Sequence, residues 1–425
     1  MLRWGLFLYV CKHDSPRSPH RTIRRRSWRP LAPDRRAAGA AVPTERTDRR
    51  PPAEFGAVSR HADPVRRSIE VEYWVVDDEG RLTDPEGLVE ASPGAEREFV
   101  EPMLEIKTTP CETTAELRGE LFGRLRAVWE RAEALDKRLV PLSTPLNHET
   151  IRELPSDRTR IQNRVIGEDF AYVRHCAGTH IHVEQQPGAV IDQLNTLIAL
   201  DPAFALANSA RHFRGRALTA GARSELYRRL AYAGLDGQGR LWPYASDRAE
   251  WDDRLAARYE AFRGRAIDAG VDPAAIESAF DPESAVWTPV QIRAEFGTVE
   301  WRSPDTTLPG TVVRLADTIA SIVERLRDCE VRIEGETGRV GHSEIVLPEF
   351  DALGDYVDAA IDEGLDSGRV CDYLDRMGFD VGAYEPVAHE FPDEPITPGE
   401  ARDRRLEHAD RLRTAVSHAP AMEAD

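Results

Sequence analysis

Four segments of this chain place charged or imidazole side chains two or four residues apart in an otherwise apolar, strand-like stretch. These segments contain the pairs Glu70/Glu72, Glu101/Glu105, His180/His182 and Glu300/Arg302. Because residues i and i+2 of a β-strand project from the same face, each pair is expected on one face and the intervening apolar residues on the other. A sheet with an apolar back and a carboxylate-rich front is the strongest constraint on the fold, since carboxylates that face one another need a cation.

A solvated edge strand is the alternative for any single segment, and for Glu70/Glu72 alone the two explanations are evenly balanced. Four such segments together favour a shared cation-binding face. Oxygen ligands with one or two imidazoles suit magnesium better than zinc, with manganese as the alternative metal. A zinc pair formed by His180 and His182 is the competing interpretation, but thiolate or His-Glu-x-x-His companions are missing from the sequence.

The hydrophobic pattern around these segments predicts an α+β fold. Strands are predicted at residues 68–77, 99–109, 139–144, 176–184 and 297–302. Helices are predicted at residues 113–139, 191–207, 249–269, 312–326, 356–364 and 370–377, and a further helix is predicted to begin at Thr397. Strands and helices mix without strict alternation, which favours a largely antiparallel sheet with flanking helices over a doubly wound parallel fold.

Composition excludes several classes of protein. The 74 acidic and 56 basic residues give a net charge of −18, which argues against a nucleic-acid partner held by a basic surface. No stretch approaches the roughly 18 consecutive apolar residues of a membrane-spanning helix, so no membrane partner is expected. The five cysteines are widely spaced and form no Cys-x-x-Cys motif, so a disulfide scaffold is excluded and a reducing, cytoplasmic location is expected.

The charge balance changes abruptly near residue 67. Residues 1–67 hold 16 basic and six acidic residues, whereas the remainder holds 40 basic and 68 acidic residues. Lysine occurs only at Lys12, Lys107 and Lys137. An acidic surface that uses arginine in place of lysine is typical of halophilic proteins, and an ordinary acidic cytosolic enzyme is the alternative. Residues 1–64 are interpreted as a basic extension, either disordered or artefactual, and the working protein is expected to begin near Val65.

The sequence lacks the glycine-rich motifs whose main-chain N–H groups bind the phosphates of a nucleotide. The segment 335–339 has neither the spacing nor the lysine of a phosphate-binding loop, and the glycines at 234, 237 and 239 do not fit Gly-x-Gly-x-x-Gly. A nucleotide would therefore be held through metal ions and by arginines. The sequence also lacks a Gly-x-Ser-x-Gly element, which argues against a serine hydrolase.

Five segments resemble, in the same order, sequence elements of the type 2 glutamate–cysteine ligase family of carboxylate–amine ligases. They are I-E-V-E-Y-W at 69–74, E-P-M-L-E-I-K-T-T-P-C at 101–111, A-G-T-H-I-H-V at 177–183, the region 207–223 with Asn208-Ser209 and Ala222-Arg223, and G-T-V-E-W-R at 297–302. This chain departs from the family's sequence elements at Ser68, at Ala210-Arg211 and at Ala222. The last two departures fall in the expected substrate loop and leave the identity of the amine open.

The resemblance implies a glutamine-synthetase-like domain in which a curved, largely antiparallel sheet cups ATP and two or more magnesium ions. A carboxylate, often the γ-carboxylate of glutamate, would be phosphorylated and then attacked by an amine. The implied metal ligands are Glu70, Glu72, Glu101, Glu105 and Glu300. The implied catalytic residues are Arg302 and Arg223, and the implied nucleotide-binding residues are His180, His182, Asn208 and Ser209.

The expected organisation is a catalytic domain at residues 65–335, with a helical part at 336–425 packed on the same domain and a disordered tail. Expected partners are small molecules, namely glutamate and cysteine or another amine, and the oligomeric state is open between monomer and homodimer. Simple structural roles are the alternatives for two arginines: Arg302 would neutralise Glu300, and Arg223 would be a surface residue. The alternative functions are a ligase with another amine or carboxylate, a catalytically silent nucleotide- or amino-acid-binding relative, and a metal-dependent hydrolase.

Overall fold

A sheet of seven antiparallel strands positions the charged pairs of the sequence. The structure, a computed structural model, describes residues 64–148, 150–232 and 234–418. The strands of the described residues are, in chain order, Arg67–Asp77 (β1), Ala95–Arg97 (β2), Met103–Lys107 (β3), Lys137–Val140 (β4), Thr179–Glu184 (β5), His212–Phe213 (β6), Arg216–Ala217 (β7), Val290–Arg293 (β8), Thr298–Trp301 (β9), Glu330–Ile333 (β10), Arg339–Val340 (β11) and Glu344–Leu347 (β12). The interpretation of residues 1–64 lies outside the described residues, apart from Pro64.

Strand β1 lies at the centre of the seven-stranded sheet, whose order is β2-β3-β1-β5-β9-β8. One edge of β1 pairs with β3, while the other edge pairs first with β5 and then with β4. Two smaller sheets consist of β10, β12 and β11 and of the short pair β6–β7. The predicted combination of helices with a largely antiparallel sheet is confirmed.

Twelve α-helices surround the sheets in the described part of the chain. They are Thr114–Glu133 (α1), Asp157–Ile166 (α2), Ala171–Arg174 (α3), Val190–Ala199 (α4), Ala222–Glu225 (α5), Arg248–Asp268 (α6), Pro273–Ala279 (α7), Pro282–Ala285 (α8), Pro309–Glu324 (α9), Phe350–Asp362 (α10), Gly368–Arg376 (α11) and Pro398–Ser417 (α12). Two predicted helix starts are confirmed by reciprocal capping hydrogen bonds, Thr113 with Glu116 and Thr397 with Glu400. Each helix therefore begins where a side chain satisfies its first backbone N–H groups.

The back of the central sheet is apolar, as the alternating pattern predicts. Its fully buried side chains are Ile69, Val71, Tyr73, Leu104, Ile106, Ile181, Val183, Val299 and Trp301. Helices α1, α4 and α9 contact these strands and share one core with them. Burying each large aliphatic side chain contributes about 1.5–3 kcal/mol, so this core holds the strands in register while the opposite face carries the polar side chains.

Several predicted boundaries differ from the structure for local reasons. The helix predicted at 113–139 ends at Glu133, because the chain turns at Asp136 with a φ of 53° and enters β4. The helix predicted at 191–207 ends at Ala199 and continues as the 3-10 segment Asp201–Ala207, where Pro202 lacks the N–H that an α-helix needs.

No single helix of the described residues is long and apolar enough to cross a membrane. The helix α4 and the 3-10 segment Asp201–Ala207 meet the length and composition test only as a pair, and they are bent by 50° relative to each other. Most of their residues are buried in the core.

The carboxylate of Asp201 organises a buried polar network beside this bend. Asp201 is fully buried and accepts hydrogen bonds from the Arg228 guanidinium at 2.6 Å, from the Trp301 indole N–H at 3.0 Å and from the Ser303 hydroxyl. Arg228 also donates to the Ser303 hydroxyl at 2.9 Å. The network joins the π-helical turn Leu226–Leu230 to the end of β9, and therefore fixes the backbone on both sides of residue 302.

We expect His408, which is buried in α12, to make the protein sensitive to mild acid. Burial, with Arg411 adding to it, lowers the pKa of His408 to about 4. The unfolded chain, with a histidine pKa near 6.5, binds a proton that the folded chain does not, so this contribution to stability is lost as the pH falls from about 6.5 to about 4. The difference in the free energy of unfolding between His408→Phe and the parent should shift by about 2 kcal/mol in favour of the variant when the pH is lowered from 7 to 5, as measured by urea denaturation.

The pH dependence of the parent alone does not isolate His408, because buried carboxylates with raised pKa values increase stability as the pH falls. The comparison with a variant removes their contribution. The new phenylalanine ring in His408→Phe would keep the packing against Phe391, whose ring centroid lies 5.5 Å from that of His408. The matched control is His342→Phe at an exposed loop position, which should leave the pH dependence unchanged. Parallel curves for the parent and His408→Phe would contradict the prediction.

Candidate active site

Three of the four charged pairs meet on the polar face of the central sheet. Strand register places Glu72 opposite Glu105, Glu70 opposite His180, and His182 opposite Glu300. Directly opposed residues of antiparallel strands project from the same face and approach closely. The sheet order β3-β1-β5-β9 therefore joins three separate i/i+2 pairs, together with Glu105, into one continuous polar surface.

Two histidines lie between Glu70 and Glu300. The Nδ1 atom of His180 is 3.4 Å from Glu70 Oε2 and 3.5 Å from Glu300 Oε1. The Nε2 atom of His182 is 3.9 Å from Glu70 Oε1 and 3.8 Å from Glu300 Oε1. This Nε2 atom is buried without a hydrogen-bond partner among the described residues, while Nδ1 of the same ring lies 3.1 Å from the Thr298 hydroxyl. An orphaned imidazole nitrogen facing two carboxylates is a suitable ligand for a cation.

Glu300 is held by two arginines at one end of the polar face. Its carboxylate lies 3.1 Å from the Arg302 guanidinium and 3.2 Å from the Arg293 guanidinium, and only 1% of its side chain is exposed. Burial opposes ionisation of Glu300, but Arg302 and Arg293 outweigh it and lower the pKa of Glu300 to about 2. The carboxylate is therefore anionic throughout the physiological pH range.

The opposite end of the face is richer in carboxylates. Burial raises the pKa of Glu105 to about 8, and the charges of Glu70 and Glu72 add to this effect against the opposing ammonium of Lys107. Burial also raises the pKa of Glu98 well above its ordinary value, with Glu105 and Glu72 adding to the shift. Repulsion of this kind is relieved by a divalent cation, which favours the ionised form of its ligands.

Within the described ranges, two groups of side chains place potential ligand atoms within 4.8 Å of one another. They are Glu70, Glu105 and His180, and Glu72, Glu98 and Glu105. Carboxylate oxygens dominate both groups, and an imidazole joins only the first. This donor set, together with the unpartnered His182 nitrogen, fits magnesium or manganese better than a thiolate-preferring metal.

Gly178 brings a buried arginine next to Glu72. Its backbone N–H donates to Glu72 Oε2 at 2.5 Å, and a Cβ at this position would lie only 2.2 Å from a terminal nitrogen of Arg223. Arg223 donates to the carbonyls of Arg302 at 3.2 Å and Ser303 at 2.9 Å, and only 4% of it is exposed. The alternative that Arg223 is a surface arginine is therefore wrong.

Arg302 fits both interpretations drawn from the sequence. It neutralises Glu300, and its Nε atom is buried with no hydrogen-bond partner in the part of the chain that the structure describes. Burial disfavours a charged guanidinium, but Glu300 outweighs this effect and raises the pKa of Arg302. A half-buried, permanently charged guanidinium that retains a free donor is able to bind an anionic oxygen.

Glu101 does not join the polar face. Strand β3 begins at Met103, so the predicted pairing of Glu101 with Glu105 along one strand is wrong. The chain turns at Glu101-Pro102, and the carboxylate of Glu101 lies 3.1 Å from the exposed Arg152 guanidinium.

Asn208 and Ser209 are buried beside the site, in contacts that hold loops together. The Ser209 hydroxyl accepts a hydrogen bond from the Ser143 N–H at 2.8 Å, and its own N–H donates to Asp305 at 2.9 Å. Asn208 faces Gly221 and Gly364, and its side-chain amide has no hydrogen-bond partner among the described residues. Their predicted contact with a nucleotide stays a prediction.

The sequence interpretation missed Glu98, Lys107 and Arg293 as members of the face. Glu98 follows Glu96 at the same spacing of two that identified the other pairs, but it lies just outside a strand. Lys107 shares that spacing with Glu105, and this signal was available in the sequence. Arg293 reaches Glu300 from β8, a neighbour that only the sheet order reveals.

Comparison with known proteins gives structural neighbours at low identity. No protein-family model matches the sequence, and no curated protein matches it. A bifunctional glutathione synthetase from Pasteurella multocida is 13% identical, with a TM-score of 0.46 over 85% of this chain and 51% of that chain. A glutamate–cysteine ligase from Francisella tularensis in complex with AMP is 12% identical, with a TM-score of 0.33 over 84% of this chain and 96% of that chain.

A novel glutamine synthase homolog is 10% identical, with a TM-score of 0.34 over 83% of this chain and 70% of that chain. This chain spans about half the length of the bifunctional glutathione synthetase described above. These neighbours are ligases or homologues of ligases. At such TM-scores the likeness supports no assignment of activity.

Proposed function

We propose that the chain is an ATP-dependent carboxylate–amine ligase with a glutamine-synthetase-like catalytic domain. The proposed reaction joins the γ-carboxylate of glutamate to an amine, with cysteine as the expected acceptor and γ-glutamylcysteine as the product. The observation that carries the proposal is the polar face, where clustered carboxylates and two histidines lie next to the half-buried Arg302 and the buried Arg223. All of these residues lie between Glu70 and Arg302, within the proposed catalytic segment 65–335.

The arrangement of charges suits a reaction between two anions. The triphosphate of ATP and the substrate carboxylate repel each other, and divalent ions would supply the positive charge that brings them together. Glu70, Glu72, Glu105 and Glu300 would hold these ions, with His180 or His182 as additional ligands. The histidine that does not bind metal would be free to donate to a phosphate oxygen.

The arginines have a separate role in this proposal. The free Nε donor of Arg302 would contact the phosphoryl group or the carboxylate as negative charge moves during transfer. Arg223 packs on Gly178 and donates to the carbonyls of Arg302 and Ser303, so it would keep that segment in place and contact substrate only through its unpartnered Nε. Because both groups are fixed before substrate binds, no reorganisation is needed at the moment of transfer.

The proposed chemistry has two steps that balance in atoms. An oxygen of the glutamate γ-carboxylate attacks the terminal phosphorus of ATP, which forms γ-glutamyl phosphate and releases ADP. The amine nitrogen then attacks the acyl carbon and loses a proton to solvent, and inorganic phosphate leaves with the oxygen that came from glutamate. The enzyme thus uses the free energy of ATP to replace a poor leaving group by a good one.

Oxygen-18 in the γ-carboxylate of glutamate tests this mechanism. With ATP, magnesium and cysteine present at high salt, we expect one labelled oxygen to appear in the released phosphate, measured by mass spectrometry. Label that stays entirely in the peptide product, or product formed without ATP, would exclude the acyl-phosphate route. A hydrolase would turn over without ATP, and a silent binding protein would release no ADP.

A panel of amines tests the acceptor separately from the reaction class. ADP release that depends on glutamate together with another amine, but not on cysteine, would retain the ligase and correct the acceptor. The departures at Ala210-Arg211 and Ala222 lie in the expected substrate loop and make this comparison informative.

A further inference from the structure

Lys107 provides a fixed cation within the carboxylate-rich end of the polar face. Its ammonium lies 2.7 Å from Glu105 Oε2, 3.2 Å from Glu96 Oε2 and 3.7 Å from Glu70 Oε1. Three carboxylates from three adjacent strands therefore converge on a single Nζ atom. An ion at the centre of this group would have the same kind of surroundings as a divalent metal bound by carboxylate oxygens.

The backbone fixes this placement. Lys107 is the register partner of Glu70 across the β1–β3 pair, and it shares a strand face with Glu105 two residues earlier. Glu96 is in turn the register partner of Glu105 across the β2–β3 pair. The Lys107 side chain therefore enters the carboxylate group because of strand pairing, and its position does not depend on a flexible loop.

The choice of lysine at this position is informative in a chain that otherwise uses arginine. Only three of the 56 basic residues are lysines, and Lys137 is the only other lysine in the described part of the chain. An arginine carries a planar guanidinium with donors in a fixed fork, whereas a lysine carries a compact point charge. A compact charge fits at the centre of three carboxylates in the way that a metal ion does.

Glu105 connects this observation to the candidate metal ligands. It belongs to both groups of potential ligand atoms, and its Oε2 atom is already in contact with the Lys107 ammonium. We propose that Lys107 occupies the position of one divalent ion, so that the face binds one ion fewer than its carboxylates would otherwise hold. This inference rests on the metal-binding face of the proposed function, but it does not depend on the reaction.

Counting bound manganese tests the proposal without an activity assay. Lys107→Met keeps the approximate length of the side chain and removes its charge. In the absence of ATP and glutamate, electron paramagnetic resonance of free Mn²⁺ gives the number of ions bound per chain. Lys107→Met should bind one Mn²⁺ more than the parent.

The matched control is Lys137→Met, which removes the other described lysine. Lys137 pairs with Asp84 at 3.4 Å, away from the polar face, and its loss should leave the number of bound ions unchanged. The same number of ions in Lys107→Met as in the parent, or a smaller number, would overturn the proposal. A gain of one ion in Lys137→Met as well would overturn it too, because the effect would then be one of net charge.

A second variant covers the case in which Lys107→Met does not fold without metal. Lys107→Gln removes the charge but retains a hydrogen-bond donor for Glu105, and it should also bind one additional ion. The measurement separates this inference from the proposed function. If the variants bind one additional ion but the parent shows no ligase activity, the proposed role of Lys107 stands and the proposed function fails. If the parent is a ligase but the variants bind the same number of ions, only the proposed role of Lys107 is rejected.

Discussion

Glu300→Gln is expected to lower the rate of ATP-dependent turnover by about 10²–10³-fold, the scale seen when a major electrostatic group of an active site is removed. Glutamine keeps the size of the side chain but removes the charge that holds Arg302 at 3.1 Å and faces both histidines. Arg302 would then lose its fixed position, and a bound cation would lose one anionic ligand. The measurement is steady-state ADP release at saturating ATP and magnesium, with circular dichroism to verify the fold.

The matched control for this prediction is Glu101→Gln. Sequence analysis assigned the same metal-binding role to Glu101, but its carboxylate pairs with Arg152 on the exposed turn before β3. We therefore expect Glu101→Gln to stay within a few-fold of the parent rate. If Glu300→Gln also kept a near-parental rate, Glu300 would be only a counter-ion for Arg302 and Arg293.

Asp201→Ala is expected to lower the free energy of unfolding by about 3–5 kcal/mol, because it leaves the buried Arg228 guanidinium without its partner. The alanine would also remove the acceptor for the Trp301 indole and the Ser303 hydroxyl. Urea denaturation at constant pH gives the change directly. This loss is a large fraction of the 5–15 kcal/mol by which a typical domain is stable.

A surface ion pair supplies the comparison for Asp201. Asp252→Ala breaks the pair with Arg248, whose side chains are 50% and 44% exposed, and should cost at most about 1 kcal/mol. Similar decreases in the free energy of unfolding for the two variants would show that the buried network stabilises the protein no more than an exposed ion pair does. Both variants should be compared in the same salt, since screening weakens the exposed pair more.

The sequence predicted the existence of the polar face because the spacing of two is a local property of a strand. Glu70/Glu72, His180/His182 and Glu300/Arg302 could be assigned to one face each without knowing their neighbours. Their meeting depends on the order β3-β1-β5-β9, which is set by packing of the apolar back against α1, α4 and α9. Sheet order and register are non-local, so periodicity alone does not contain them.

The errors in the site prediction also have physical causes. Glu101 was included because the apolar pattern continues through it, yet the chain turns at Glu101-Pro102 before pairing begins at Met103. Glu98 was missed because it lies in the connection after β2, where no strand was predicted. Strand ends of this kind are decided by turn geometry and by the partner strand, neither of which the hydrophobic pattern records.

The position of β1 at the centre of the sheet has a consequence for how the protein is made. Strand β1 is synthesised before all its partners, and the face it shares is complete only once the ribosome has passed Trp301 at the end of β9. Pairing between segments that are far apart in sequence is slow, because loops must close before contacts form. During synthesis β1 therefore exposes unpaired edges and an apolar surface until its partner strands have emerged, and exposed segments of this kind favour aggregation.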